Sequence, residues 1–375
     1  MESLLLFLIV HYCLPFLPVN GWLSFPVKNK QINGRMNVQA RQPFTSLSVA
    51  SATTKTIVDR STLTLLEHIN LNIPTQNPAI SFYLDVLGCG LDPRKAANLG
   101  TPQKTIWANC GASQFHLPYG ETAQVLPGHV GLRFDSLDGL KERLGTYKET
   151  YASTQTSIDS AGREQCQITD LYGNIFICRA RNGEEEVSPL RQPIILPHQT
   201  NEWDEIATRY GKLNSDCKGI DYVEFQCPPG KADRIALFYE SVFDATTSTV
   251  QDQDGSSIAI IAVGNIDESG RSEQCLLFRE SSDPMPPYDG HHIAMYVGES
   301  AADFEQAFQN AQLANIVWCN PRFSDQVTSL EELRKEQQFR FKNIVDMETG
   351  ETIMELEHEM RSIDHKAWPG KNTMP

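Results

Sequence analysis

A short unit, an alternating strand followed by an amphipathic helix, constrains the fold of this chain most strongly because it recurs. Polar and apolar residues alternate over residues 68–73, which predicts a strand with His68 on its polar face. The helix after it carries the pair Phe82-Tyr83. The pair Phe238-Tyr239 stands at the same place in a second such helix, 156 residues later. The chain is therefore predicted to be an internal duplication.

Two further strands restart the pattern, one in each half of the chain. Each begins close to a glycine and a histidine, at Gly128-His129 and at Gly290-His291-His292. Hairpins around Gly173-Asn174 and Gly350 close the two halves. An insertion before the second hairpin contains a predicted helix over residues 331–336. Four strand-helix-strands modules thus follow one another.

Composition divides the rest of the chain. A proline-rich and glutamate-rich stretch separates the two halves, as a linker would. A length of 375 residues suits two domains better than one or three. The sequence predicts five regions: a presequence over 1–58, a domain over 62–180, a linker over 181–218, a second domain over 219–360 and a tail over 361–375.

The presequence has two parts. Residues 4–10 are an apolar run that is too short to span a bilayer and suits a signal peptide. Residues 23–58 are basic, rich in Ser and Thr, and free of Asp and Glu, as in organelle transit peptides. This order resembles the bipartite presequence of proteins imported into secondary plastids. We therefore expect a plastid location, with secretion as the alternative.

Charge and cysteine content limit the partners. The whole chain has a formal net charge of −15, and removal of residues 1–58, which carry a net +4, makes it −19. So acidic a protein argues against nucleic acid and anionic membranes as partners of the mature form. The eight cysteines beyond Cys13 include no C-x-x-C pair, so a zinc ribbon or a thioredoxin-type site is not expected. A small molecule is the expected partner, and the sequence does not indicate an oligomeric state.

Four such modules, with an Asp-x-x-Gly-Asn hairpin at Asp170 and a looser Asp-x-x-x-Gly hairpin at Asp346, resemble the vicinal oxygen chelate superfamily. Its relatives are glyoxalases, bleomycin-resistance proteins and extradiol dioxygenases. The resemblance covers nearly all of residues 62–360. It implies an α+β fold with two tandem domains, each built from two paired βαβββ modules that form a cup-shaped sheet. It also implies a divalent metal in the cup, held by the first and last strands of each module.

Carried over to the first domain, the resemblance implies three metal ligands: His68, His116 and His129. The fourth position, where a glutamate is common, holds Ile177. Three imidazoles could still hold zinc or ferrous iron, and nickel or manganese are further candidates. No residue is left as an obvious base, so catalytic residues are not assigned.

In the second domain, His292 and Glu355 match the ligand pattern. The place of His68 is taken by Tyr222 or, if one gap is moved, by Asp221, and Glu224 is a further possible ligand. This domain is therefore expected to be degenerate as a metal site, and any chemistry is expected in the first domain. A 4-hydroxyphenylpyruvate dioxygenase would match the length and layout but needs one more histidine here.

The sequence is compatible with two functions, one enzymatic and one non-catalytic. The first is a metal-dependent enzyme of the glyoxalase or dioxygenase kind, in which a small oxygenated substrate chelates the metal. The second is a non-catalytic module that binds a small molecule or serves as a scaffold.

Overall fold

The described residues form two mixed β-sheets. The computed structural model describes residues 57–159, 162–180, 216–252, 254–267 and 270–368. The predicted presequence, apart from its last residues, most of the predicted linker and the end of the predicted tail lie outside the described residues. Among the described helices, none combines the length and the hydropathy that a membrane span requires.

Four modules follow one another after the short strand β1 (Ile57–Arg60). The first contains β2 (Leu63–Asn70), α1 (Gln76–Ala79, continued by a π-helical segment, Ile80–Val86), β3 (Gly90–Leu91), β4 (Ile106–Cys110) and β5 (Ser113–Leu117). The second contains β6 (Gly128–Phe134), α2 (Asp138–Thr146), β7 (Tyr151–Ile158), β8 (Glu164–Asp170) and β9 (Ile175–Ala180). The third contains β10 (Cys217–Cys227), α3 (Ala232–Phe243), β11 (Thr247–Gln251), β12 (Ser257–Asp267) and β13 (Ser272–Glu280). The fourth contains β14 (His292–Val297), α4 (Ala301–Leu313), α5 (Leu330–Glu336), β15 (Gln338–Val345) and β16 (Thr352–Arg361).

Local sequence explains where the helices begin and end. Buried apolar residues of α3 recur at intervals of three and four, and the helix ends where Asp244 adopts a left-handed conformation with φ of 50°. Both α4 and α5 begin with a capping box, formed by Ser300 and Ser329 with the acidic residue three positions later. The helix predicted over residues 331–336 is confirmed as α5.

The modules pair two by two, and the α+β fold class is confirmed. The nine-stranded sheet has the order β1-β12-β13-β10-β6-β9-β8-β7, with β11 beside β12. The seven-stranded sheet has the order β15-β16-β14-β2-β5-β4-β3. Antiparallel pairing of first strands, β6 with β10 and β2 with β14, joins the modules at the centre of each sheet.

The partners in these pairs differ from the expected ones. We expected modules to pair in chain order, so that residues 62–180 would enclose one cup. Instead the second module pairs with the third, and the first module pairs with the fourth. The four first strands have similar alternating patterns, so the pattern specifies which face is buried but not which module is the partner.

A buried hydrogen bond joins the third module to the fourth and gives a testable contribution to stability. The Tyr239 hydroxyl lies 2.6 Å from Nε2 of His358. Because the Nδ1–H group of His358 donates to the carbonyl of Leu356, Nε2 accepts this bond. Burial lowers the pKa of His358 to about 3, which keeps the imidazole neutral.

Tyr239→Phe is expected to lower the free energy of unfolding by about 1–3 kcal/mol, because it leaves the buried Nε2 atom without a donor. Tyr83→Phe is the matched control, since Tyr83 occupies the equivalent helix position and is 1% exposed. Its hydroxyl has no hydrogen-bond partner in the described part of the chain. Denaturant unfolding of both variants measures the difference, and equal losses would contradict the assignment.

Candidate metal centre

Strand register places a row of polar side chains on one face of the seven-stranded sheet. His68 on β2 lies opposite Ala294 on β14, and His292 on β14 lies opposite Asn70. Leu66 pairs with Met295, so Glu67 is the extra residue of a β-bulge. Consecutive strand residues normally point to opposite faces, but the bulge brings the Glu67 carboxylate to the imidazole of His68.

Three buried side chains meet on this face. His68, His292 and Glu359 each offer one ligand atom, and these atoms all lie within 4.8 Å of one another. They come from β2, β14 and β16, and each is at most 3% exposed. Two imidazoles and one carboxylate form a donor set that suits a divalent transition metal.

His68 is held in the tautomer that a metal ligand needs. Its Nδ1 atom lies 2.8 Å from Oε2 of Glu67. Burial alone would raise the pKa of Glu67, but Arg361 and His68 lower it below its ordinary value, so the carboxylate accepts and Nδ1 carries the proton. The Nε2 atom of His68 is buried and has no hydrogen-bond partner in the described structure. A histidine that donates one ring N–H to a carboxylate, and whose other ring nitrogen is available for coordination, is typical of metal centres.

Glu359 is paired with two arginines. Arg340 Nη2 donates to Oε2 at 2.6 Å, and Arg361 Nε donates to Oε1 at 2.6 Å. Burial raises the pKa of Glu359, but the two guanidiniums outweigh that effect and hold it well below its ordinary value. A metal at this carboxylate would therefore compete with Arg340 for Oε2.

The ionic cluster around Glu359 is more negative than positive. Arg340 also donates to Asp325 at 2.7 Å and to Glu357 at 2.8 Å. Arg361 also binds Glu67. With every side chain counted as ionised, the cluster has four carboxylates and two guanidiniums. The excess of two negative charges equals the charge of one divalent cation, and burial makes an uncompensated excess costly.

His116 lies beside this group, outside the set of atoms within 4.8 Å. Its ring stacks on that of His68, with centroids 3.7 Å apart, and on that of Trp107, with centroids 4.2 Å apart. Its Nε2 atom lies 3.0 Å from Oε1 of Gln114. Burial, with smaller contributions from His68 and Arg361, lowers the pKa of His116 well below its ordinary value, so the imidazole is neutral at neutral pH.

No family model and no curated protein match this chain. Among solved structures, glyoxalase I from Zea mays shares 12% identity, over 80% of this chain and 92% of that one, with a TM-score of 0.47. The 2,2',3-trihydroxybiphenyl 1,2-dioxygenase from Sphingomonas wittichii shares 10% identity over 80% of this chain and 90% of that one, with a TM-score of 0.25. A variant of a fosfomycin resistance protein from Listeria monocytogenes, complexed with Mn(II), shares 10% identity over 38% of this chain and 90% of that one, with a TM-score of 0.25.

The topology identifies the fold. The first three modules have the order βαβββ, and the fourth has one strand fewer. Modules pair with one another through their first strands. The chain has the vicinal oxygen chelate fold. The resemblance to the vicinal oxygen chelate superfamily implies metal ligands on the first and last strands of paired modules. The strands β2, β14, β5 and β16 are these strands in the seven-stranded sheet.

Antiparallel pairing of the two first strands relates the two halves of each sheet by an approximate two-fold axis. Ile69 faces Ile293 at the centre of one sheet, and Val130 faces Val223 at the centre of the other. When strand positions are counted from these central pairs, four positions of one sheet correspond to four of the other. In the seven-stranded sheet they are occupied by His68, His292, His116 and Glu359. In the nine-stranded sheet the corresponding residues, in the same order, are His129, Tyr222, Ile177 and Leu277.

The structure brings together three of the sequence-predicted residues, His68, His116 and His292. It places His129 in the other sheet, with Nε2 3.1 Å from the Tyr222 hydroxyl and Nδ1 3.7 Å from Glu224. The expected set of three histidines from residues 62–180 is therefore not formed, because the first and second modules belong to different sheets.

Glu355, the second residue expected in the second domain, is exposed and pairs with Lys342. Glu359 lies in the cluster instead, four residues further along β16. The other suggested ligands of the second domain are also engaged: Asp221 with Arg133, Tyr222 with His129 and Glu224 with Arg279. The second domain was expected to be degenerate as a metal site. Its fourth module nevertheless contributes His292 and Glu359 to the candidate centre.

Sequence reasoning missed Glu359, Glu67 and the two arginines. The signal available was the alternation Glu355, Glu357, Glu359, Arg361, which places four charged residues on one face of a strand. Buried charges in such a row need partners, so the row itself indicates an ionic site.

Proposed function

We propose that this protein binds a divalent metal through His68, His292 and Glu359 and uses that centre to bind and act on a small oxygenated substrate. The unpartnered, buried Nε2 atom of His68, within 4.8 Å of the other two ligand atoms, carries the proposal. The excess negative charge of the surrounding cluster supports it. Zinc, iron, nickel and manganese all suit imidazole and carboxylate donors.

The residues around the centre have separable tasks. Glu67 keeps the proton of His68 on Nδ1 and leaves Nε2 for the metal. Arg361 holds Glu67 and Glu359 in position. A bound divalent metal would supply Lewis acidity, which polarises a carbonyl or hydroxyl of a chelating substrate.

A second function, binding of a small molecule without metal, is favoured by one observation. Both oxygens of Glu359 already receive guanidinium hydrogen bonds, so Arg340 and Arg361 could take the place of a cation. The two functions predict different metal contents for the purified protein.

Metal analysis of protein purified without chelators tests the proposal. We expect stoichiometric divalent metal in the wild type and its loss in His68→Ala and His292→Ala, because each change removes one of three ligands. His129→Ala is the matched control, since His129 occupies the corresponding strand position of the other sheet and should leave the metal content unchanged.

Circular dichroism and thermal unfolding identify any variant that fails to fold. A folded wild type that stays metal-free after incubation with each candidate metal would overturn the metal-dependent function and support the metal-free one. Equal metal content in all three variants would place the metal elsewhere.

A further inference from the structure

A pocket with a volume of about 220 Å³ lies where segments of the two sheets meet. Its walls come from the segment before β6, the end of β10, the loop between β13 and β14, and the start of β16. None of its lining residues belongs to the candidate metal centre. Junctions between packed units are common places for ligand sites, so the pocket is a second candidate site of this chain.

The lining of the pocket is mostly apolar and rigid. It consists of four prolines, two methionines, a valine, an isoleucine and a tyrosine, together with His291 and Glu355. Proline fixes its own backbone angle, so the walls are largely formed before a ligand binds. Methionine sulfur packs favourably against aromatic rings. Because a cavity of about 150 Å³ accommodates benzene, this pocket has room for a small aromatic compound.

Asp289 fixes the tautomer of His291. The Nδ1–H group of His291 donates to Oδ1 of Asp289 at 2.6 Å. The backbone N–H groups of His291 and Val125 donate to the same carboxylate, at 3.1 Å and 2.8 Å, so it acts as an acceptor throughout. With the proton on Nδ1, the Nε2 atom of His291 has the lone pair.

One polar side-chain atom of the pocket, Nε2 of His291, lacks a hydrogen-bond partner in the described part of the chain. The side chain is 4% exposed. Asp289 is not a lining residue, so the ring edge that borders the pocket is the one away from it, which carries Nε2. The other polar groups are engaged, since the Tyr288 hydroxyl donates to the carbonyl of His291 and Glu355 pairs with Lys342. A ligand in the pocket satisfies Nε2 by donating a hydrogen bond.

We propose that this pocket binds a small, planar aromatic compound that carries a hydrogen-bond donor on its ring. The ring packs between proline and methionine side chains, and its donor group bonds to Nε2 of His291. The metal centre takes no part in this binding. The site therefore goes beyond the proposed function and does not depend on it.

Indole and benzofuran are suitable probes, because they have the same shape and differ in that benzofuran has an oxygen in place of the N–H group. In protein labelled with ¹³C at the methionine methyl groups, indole should shift the NMR signals of Met285 and Met354, which line the pocket. Met295 and Met360 do not line it, and their signals should stay in place. Met285→Leu and Met354→Leu assign the two signals. The wild type should bind indole about three- to tenfold more tightly than benzofuran, the effect of one hydrogen bond.

His291→Phe keeps a planar ring but removes the acceptor, so the affinity for indole should fall to that for benzofuran. His129→Phe, in the nine-stranded sheet, is the matched control and should bind both probes as the wild type does. Val125→Trp should exclude both probes, because Val125 lines the pocket and is 37% exposed, which places it at the mouth. If His291→Phe does not fold, the two probes in the wild type and in Val125→Trp still test the site.

Every affinity is measured with and without EDTA, and the two values should agree. Loss of indole binding in EDTA would assign the ligand to the metal centre and overturn the proposal. Equal affinities of the wild type for indole and benzofuran would also overturn it, as would an absence of shifts at Met285 and Met354. A wild type that holds no metal would end the metal-dependent function but would leave all of these results unchanged.

Discussion

Arg340→Met is expected to lower the free energy of unfolding by about 3–5 kcal/mol, the cost of removing one partner from a buried ionic network. Arg340 is 4% exposed and donates to three carboxylates, Asp325, Glu357 and Glu359, at 2.6–2.8 Å. Methionine keeps much of the side-chain volume but leaves these carboxylates facing one another. Burial already raises the pKa of Glu357, so removal of the guanidinium favours protonation of this carboxylate.

Arg334→Met provides the matched control, because Arg334 forms a bidentate ion pair with Glu305 on the protein surface. The same substitution there should leave stability within experimental scatter of the wild type, because water screens the exposed pair. Chemical denaturation of both variants measures the contrast. A loss for Arg340→Met that is no larger than for Arg334→Met would show that the cluster is solvated or neutralised by other means.

The Arg340→Met variant also separates the roles of arginine and metal. Removing Arg340 frees Oε2 of Glu359, the oxygen for which a metal would compete. If the centre binds metal, saturating zinc should restore part of the lost stability, because a ligand that binds only the folded state stabilises it by mass action. If the arginines have replaced the metal, zinc should leave the stability of the variant unchanged.

The alternation around His68 and the recurrence of the unit were sufficient to predict four modules. The α+β class, and His68 and His292 as potential ligands, followed from the resemblance to the vicinal oxygen chelate superfamily, which implies ligands on the first and last strands of each module. Glu359 could not be chosen in the same way. Glu355, Glu357 and Glu359 share one face of β16, and the register against β14 decides which of them reaches the centre.

The pairing of modules could not be predicted from the sequence either. His129 matches His68 in its local sequence, and their local sequences alone allow the two strands to be neighbours. Which first strands pair depends on contacts between residues far apart in the chain, such as Ile69 with Ile293 and Val130 with Val223. Neither propensity nor periodicity reports such contacts, which belong to tertiary packing.

The observed pairing predicts that neither half of the chain folds alone. In a fragment of residues 57–180, β2 loses its partner β14 and β6 loses its partner β10, so two central strands become open edges. A fragment of residues 216–368 loses the same contacts from the other side. Each is expected to lack a cooperative thermal transition and to aggregate, whereas the two fragments expressed together should assemble with native-like stability.

Circular dichroism and size-exclusion chromatography of the single and co-expressed fragments provide the measurement. Pairing in chain order would give the opposite result, because each fragment would then contain a complete cup and would fold by itself. The metal would also distribute differently. With the observed pairing, His68 comes from one fragment and both His292 and Glu359 come from the other, so a divalent metal should bind only to the assembled pair. A folded, metal-binding fragment of residues 57–180 would contradict both the pairing and the proposed centre.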